Sequence, residues 1–145
     1  MNDLLDALFH AAVYALVAGA MVVLAFYVLD LLTPGHLGRH LLGSDGEASY
    51  SAAVVTSAWL LGTGVVLFTA IWTNGESSLG TALLWTVVFG LLGIVLNVLM
   101  LLAIDAVTPG NLRAIACTPG RAVPLAWVSA ATAITVSGLV AASIA

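Results

Sequence analysis

The sequence predicts an all-α integral membrane protein with four transmembrane helices, arranged as two parallel two-helix repeats with both termini outside. Three observations support this fold class. Of the 145 residues, 62% are hydrophobic and only 7% are charged, whereas about 25% of the residues of a soluble domain are charged. Four stretches without any charge are each longer than the roughly 20 residues that a helix needs to cross a bilayer core. The phrase Asp-x-x-Thr-Pro-Gly also occurs twice, each time after a long apolar run.

The uncharged stretches place the four transmembrane helices. A transmembrane β-barrel would instead show short segments of about 10 residues in polar–apolar alternation, and this chain has continuous runs such as LLWTVVFGLLGIVLNVLMLLAI. A signal peptide is the alternative for the first stretch, but Met1–Asp6 carries two Asp and no Lys or Arg, whereas signal peptides begin with positive charge. The predicted spans are Leu4–Leu32, Tyr50–Trp72, Thr81–Ile104 and Ala122–Ile144.

The three positive residues of the chain predict its orientation. Arg39 lies between the first and second spans, and Arg113 and Arg121 lie between the third and fourth. Short loops rich in Lys and Arg stay in the cytoplasm, whereas the opposite loops of this chain carry only acidic charge. We therefore expect a multi-pass protein of the plasma membrane, with both connections between paired helices in the cytoplasm and both termini outside.

The duplicated phrase divides a single membrane domain, residues 1–145, into two repeats at 4–72 and 81–144. Each repeat starts outside, turns in the cytoplasm and returns, so the two are parallel repeats. At each corner the Pro ends the helix, and the Gly allows a turn that needs a positive φ. A third Thr-Pro-Gly, at 118–120, lacks the preceding Asp and is interpreted as a loop element. The repeat corners are Thr33, Pro34, Gly35, Thr108, Pro109 and Gly110.

Two carboxylates precede the corners and are the first candidate functional residues. Asp30 and Asp105 fall in the last turn of a predicted helix, where the helix dipole disfavours negative charge, and at the edge of the hydrocarbon, where ionisable groups are costly. Three interpretations stay open. The carboxylates could form a clasp between the repeats, pairing Asp30 with Arg113 and Asp105 with Arg39. They could bind ions or protons at the inner mouth of a path, or simply face headgroup water.

Asn97 and two stripes of small residues are the other candidates within the spans. Asn97 is the one amide side chain inside a predicted span, and a hydrogen bond to a neighbouring helix is favoured over a substrate contact. Small residues four apart let helices approach closely in lipid, either within one chain or between chains. The stripe on the first helix consists of Ala7, Ala11, Ala15 and Gly19, and that on the fourth of Ser129, Ala133, Ser137, Ala141 and Ala145.

Several function classes find no support in the sequence. A net charge of −4 without a basic patch does not indicate a nucleic-acid partner. His36 and His40 are four apart, but a metal site needs more ligands, and Gly38 between them weakens a helix, so we expect a solvated loop without metal. No phosphate-binding loop, metalloprotease motif or nucleophile with a nearby base is present, so we expect neither a catalytic nor a cofactor site.

The chain resembles the YjfL-like family of small bacterial inner-membrane proteins, whose members consist of tandem two-helix units with a Thr-Pro corner. The resemblance covers nearly the whole chain. It is carried by the corner at 33–35, the segments Ser51-Ala52-Ala53 and Leu61-Gly62-Thr63, and the small residues at 141–145. It implies a plasma-membrane protein of a domain family whose biochemical role is not established.

Together these features favour a non-enzymatic structural or accessory component that works as a homo-oligomer or with a membrane partner protein. The alternative is a small channel or transporter subunit, in which an oligomer lines a path through Asn97 with Asp30 and Asp105 at its cytoplasmic mouth. A membrane enzyme or its anchor is a third interpretation, which would require a polar cluster that the sequence does not reveal.

Overall fold

The structure is a computed structural model that describes residues 2–43, 46–75, 77–107 and 119–145. These residues form five helices, four of which are long and apolar enough to cross a membrane. The predicted all-α fold with four transmembrane helices is therefore confirmed. The helices are α1 (Asn2–Leu32), α2 (Leu37–Leu42), α3 (Tyr50–Thr73), α4 (Leu79–Val107) and α5 (Pro124–Ile144).

The helix boundaries lie within about three residues of the predicted spans, and the start of the last helix has a clear physical cause. The fourth span was expected to start at Ala122, but α5 begins at Pro124. Proline is well suited to the first turn of a helix, because its missing N–H would have no partner there and its φ is already helical. Proline also disfavours the α region for the preceding residue, and Val123 is extended, with φ −82° and ψ 151°.

Helix α3 packs against each of the other three long helices, as α4 also does, and its most extensive contact is with α5. Its contact with α1 is made by Trp59, which is 2% exposed. The indole Nε1 of Trp59 donates a hydrogen bond to the carbonyl of Ala25, at 3.1 Å. Within a bilayer no water competes for that carbonyl, so the bond fixes the height of α1 relative to α3.

Helices α3 and α5 approach each other closely at Gly62. A methyl group on Gly62 would overlap the side chain of Ser137, which is 1% exposed. The small-residue stripe of α5 is therefore used within the same chain. Its buried members are Ser129, Ala133, Ser137 and Ala141.

Two glycines of α4 allow α1, α3 and α4 to meet. A Cβ on Gly90 would lie 2.8 Å from the terminal methyl groups of both Met21 and Leu67, and a Cβ on Gly93 would lie 3.3 Å from a methyl group of Val66. A side chain at either position would require Met21, Leu67 or Val66 to shift. The two glycines therefore allow close packing on this face of α4.

Aromatic side chains mark the two ends of the apolar bundle. Tyr50 and Trp72 are 65% and 77% exposed at opposite ends of α3, and the helical rise of 1.5 Å per residue separates them by about 33 Å. That distance matches a hydrocarbon core of about 30 Å, and amphipathic rings settle at its two boundaries. The side of the membrane that each end faces, and the division into two repeats, stay predictions.

Gly62 offers a direct test of the α3–α5 contact. We expect Gly62→Ala to lower the free energy of unfolding by about 1–3 kcal/mol, because the added methyl group overpacks against Ser137. The matched control is Gly64→Ala on the same helix, where a Cβ meets nothing within 4 Å. Denaturant unfolding in detergent micelles measures both variants, and equal stability of the two would contradict this packing.

Candidate functional site

The carboxylate of Asp30 bonds to the helix that follows it in the chain. Its Oδ1 accepts a hydrogen bond from the backbone N–H of Leu37, the first residue of α2, at 2.6 Å. Its Oδ2 lies 3.9 Å from Nδ1 of His36, and the side chain is 26% exposed. A carboxylate that is unfavourable at the C-terminus of α1 is therefore placed at the N-terminus of α2, where unpaired N–H groups and the helix dipole favour it.

The Thr-Pro-Gly corner closes the end of α1 by itself. Thr33 directs both its backbone N–H and its hydroxyl to the carbonyl of Leu29, at 3.1 and 2.8 Å. Gly35 has a φ of 84°, so the predicted need for a positive φ is confirmed. Nε2 of His40 lies 3.2 Å from the carbonyl oxygen of Pro34 and packs where a Cβ of residue 35 would be. The corner is a compact turn held by its own side chains.

Helix α2 corrects the expectation of a solvated loop around His36 and His40. His36 is extended at the N-cap, whereas His40 lies inside the short helix. Asp30 supplies the acceptor that the N-terminus of α2 needs, and Gly43, with a φ of 66°, ends the helix in the left-handed region. The Gly38 that argued against a helix is tolerated because both ends of α2 are capped.

The predicted clasp between the repeats stays a prediction. Thr108, Pro109, Gly110 and Arg113 lie outside the described residues, and with them the partner proposed for Asp30. Asp105 is half-buried near the end of α4, and Arg39 is exposed on α2. The described bonds of Asp30 are local to the first corner, which explains its position without a partner in the other repeat.

A backbone bridge joins the loop before α3 to the loop before α5. Ser49 and Gly120 form a parallel bridge, with hydrogen bonds from the Tyr50 N–H to the Gly120 carbonyl and from the Gly120 N–H to the Ala48 carbonyl, both 3.1 Å. The hydroxyl of Ser51 accepts a further bond from the Val123 N–H, at 3.1 Å. Sequence reasoning treated the third Thr-Pro-Gly as a loop element and missed this link.

One signal in the sequence marks the same region. Ser49 caps α3, since its Oγ accepts a hydrogen bond from the Ala52 N–H at 3.2 Å. A Ser just before a long apolar run is a recognisable start of a helix. That pattern agrees with the predicted start of this span at Tyr50, but nothing in it indicates Gly120 as the partner.

Asn97 forms the interhelical bond that its position predicted. Its Nδ2 donates to the hydroxyl of Ser137 on α5, at 2.9 Å, and to the Gly93 carbonyl, at 3.1 Å. Its Oδ1 is buried without a partner among the described residues. Asn97 lines a cavity of ≈ 10 Å³ beside Trp59 and Thr132, a volume that fits about one water molecule.

The stripe of small residues on α1 remains on the outside of the chain. All of its members are exposed, and a Cβ on Gly19 would meet nothing within 4 Å. Met21 of α1 lies beside Gly90 of α4. Counting back from this contact along both helices, the first residue of α4 is level with about His10 of α1. The turns of α1 before His10 therefore extend about 12 Å beyond the start of α4. The exposed stripe consists of Ala7, Ala11, Ala15 and Gly19.

Comparison with known proteins places the chain among membrane proteins. The model of a family described as Domain of Unknown Function (DUF350) matches residues 3–144. A UPF0719 transmembrane protein of Mycolicibacterium paratuberculosis is 37% identical over 111 residues, which cover 77% of this chain and 71% of the relative. No solved structure matches the chain significantly.

The Asp30 cap predicts different effects for two substitutions. Asp30→Ala removes the acceptor for the Leu37 N–H and should lower the free energy of unfolding by about 1 kcal/mol. Asp30→Asn keeps an acceptor oxygen and should stay close to wild type. Unfolding in detergent micelles measures both, and an alanine variant as stable as the asparagine variant would show that the cap contributes nothing.

Proposed function

The chain belongs to the DUF350 family of membrane proteins, as its sequence resemblance implied, and we propose that it is a non-enzymatic structural or accessory component of a membrane assembly. We place it in the plasma membrane with the first corner facing the cytoplasm. The proposed assembly is an oligomer of identical chains that associate through the small-residue stripe of α1. The observation that carries this proposal is that every member of the α1 stripe is exposed, whereas four of the five members of the α5 stripe are buried.

The physical support comes from how helices associate in lipid. Lipid tails are as apolar as leucine side chains, so burying apolar surface does not drive association, and close backbone approach between small residues does. Helix α5 uses its small residues to pack against Gly62 within the chain. Helix α1 carries the same pattern on a surface that no described part of its own chain covers.

The length of α1 gives a second argument. Its 31 residues span about 46 Å, whereas the hydrocarbon core is about 30 Å thick. Apolar side chains continue into the extension beyond α4, where Leu4, Leu8 and Phe9 are 64%, 58% and 61% exposed. A second copy packed along α1 would cover these side chains as well as the stripe.

Transport is the second candidate function, and the buried unpaired oxygens favour it. Thr56 Oγ1 and Asn97 Oδ1 have no hydrogen-bond partner in the part of the chain that the structure describes. The cavity beside Asn97 is only ≈ 10 Å³, which is too small for more than about one water molecule. A conducting path would therefore have to run between copies of the chain, with Asp30 and Asp105 near its mouth.

A substitution on the α1 stripe tests the proposed oligomer. Ala15→Leu places a large side chain where two backbones would approach and should raise the dissociation constant of the oligomer about tenfold or more. Ala20→Leu is the matched control, because Ala20 is exposed on another face of α1. Single-molecule photobleaching in liposomes at several protein densities measures the oligomer. A wild-type protein that stays monomeric at every density would overturn the proposal.

Ion and proton flux in liposomes separates the two candidate functions. We expect no flux from folded wild-type protein, because the proposed component does not conduct. The informative variant is Asp30→Asn combined with Asp105→Asn, since asparagine at 30 keeps the acceptor for the Leu37 N–H. Flux in the wild type that this variant loses would contradict the structural proposal and establish transport.

A further inference from the structure

An open crevice lies between the loop before α3 and the loop before α5. Its volume is ≈ 670 Å³, within the range of about 300–1,000 Å³ that small-molecule sites occupy. The Ser49–Gly120 bridge holds the two loops together beside it. Its side chains include one acid, one base and two aromatic rings, contributed by Glu47, Arg121, Tyr50 and Trp127.

The two opposite charges of the crevice are available to a ligand. Glu47 and Arg121 are both exposed. Among residues 2–43, 46–75, 77–107 and 119–145, the one salt bridge joins His36 to Asp30. The acid and the base therefore share the crevice without pairing with each other. The Glu47 carboxylate lies over the second loop, with Oε2 3.4 Å from the position that a Cβ of Gly120 would take.

An apolar groove between α3 and α5 continues from the crevice into the membrane-spanning part of the bundle. Its volume is ≈ 470 Å³, and it shares Val54 and Trp127 with the crevice. It extends along α3 to Leu61 and along α5 past Ala131. The helical rise from Tyr50 to Leu61 is about 16 Å, close to half of a hydrocarbon core of about 30 Å. Crevice and groove together match the depth of one leaflet.

We propose that the crevice and groove bind one phospholipid whose headgroup carries a phosphate and a primary ammonium, as in phosphatidylethanolamine. Arg121 binds the phosphate, because the guanidinium presents paired N–H donors to phosphate oxygens. Glu47 binds the ammonium, and one acyl chain lies in the groove. Tyr50 and Trp127 flank the headgroup at the depth where aromatic rings settle and where they can also face the cation.

The acid in the crevice selects among lipids. A phosphatidylglycerol headgroup has the phosphate for Arg121 but no ammonium for Glu47, so its negative charge would lie beside an uncompensated carboxylate. An exposed ion pair contributes about 0.2–1 kcal/mol, so we expect a preference for phosphatidylethanolamine of about 1.4- to fivefold. An annular lipid that merely fills the surface would show no such preference.

Native mass spectrometry of the full chain, purified in detergent with equimolar phosphatidylethanolamine and phosphatidylglycerol, tests the proposal. Wild type should retain phosphatidylethanolamine preferentially, Glu47→Gln should abolish the preference, and Arg121→Gln should reduce retention of both lipids. Asp3→Asn and Arg39→Gln are the charge-matched controls, since both residues are exposed away from the crevice. Equal retention of the two lipids by wild type would overturn the proposal.

A second pair of variants tests the acyl-chain groove. Ala131→Phe fills the groove and should reduce retention of both lipids, whereas Ala142→Phe, at an exposed position of α5 outside the groove, should not. Thermal unfolding of each variant establishes that it folds. If Ala131→Phe leaves lipid retention intact and instead dissociates an oligomer, the groove is a contact between copies and the lipid proposal fails.

Discussion

Close approach of α3 to its neighbours is the constraint on which the rest of the bundle depends. Burial of apolar surface cannot hold helices together in lipid, so the contact relies on a missing side chain at Gly62 and on hydrogen bonds that water does not reach. Trp59 bonds to α1, and Asn97 of α4 bonds to Ser137 of α5 beside the Gly62 contact. These few interactions set which faces turn inward and which remain outside.

Two of the candidate functional side chains are engaged within the chain itself, and this shapes the functional proposal. The Asp30 carboxylate is engaged at the start of α2, and the Asn97 amide nitrogen is engaged with Ser137. What the bundle leaves outside is an uncovered helix face on α1 and a charged crevice between two loops. Both surfaces favour association, with another copy in the first case and with a lipid in the second, over chemistry carried out inside one chain.

Local patterns in the sequence predicted much of this architecture, and non-local contacts were not predicted. The spans and the positive φ of Gly35 follow from apolar runs and proline–glycine chemistry, which act over a few residues. The bond from Asp30 to Leu37 crosses a turn, and the bridge from Ser49 to Gly120 pairs backbones far apart in the chain. Backbone pairing leaves no side-chain signature, and two similar small-residue stripes do not reveal which one lies inside.

Cysteine crosslinking in native membranes tests most directly the claim that one stripe is internal and the other joins copies. In a Cys117→Ser background, Ala11→Cys places a thiol on α1 and Ala133→Cys places one on the buried face of α5. The account predicts a crosslinked dimer from the first variant and none from the second. Dimers from Ala133→Cys, or monomers alone from Ala11→Cys, would contradict it.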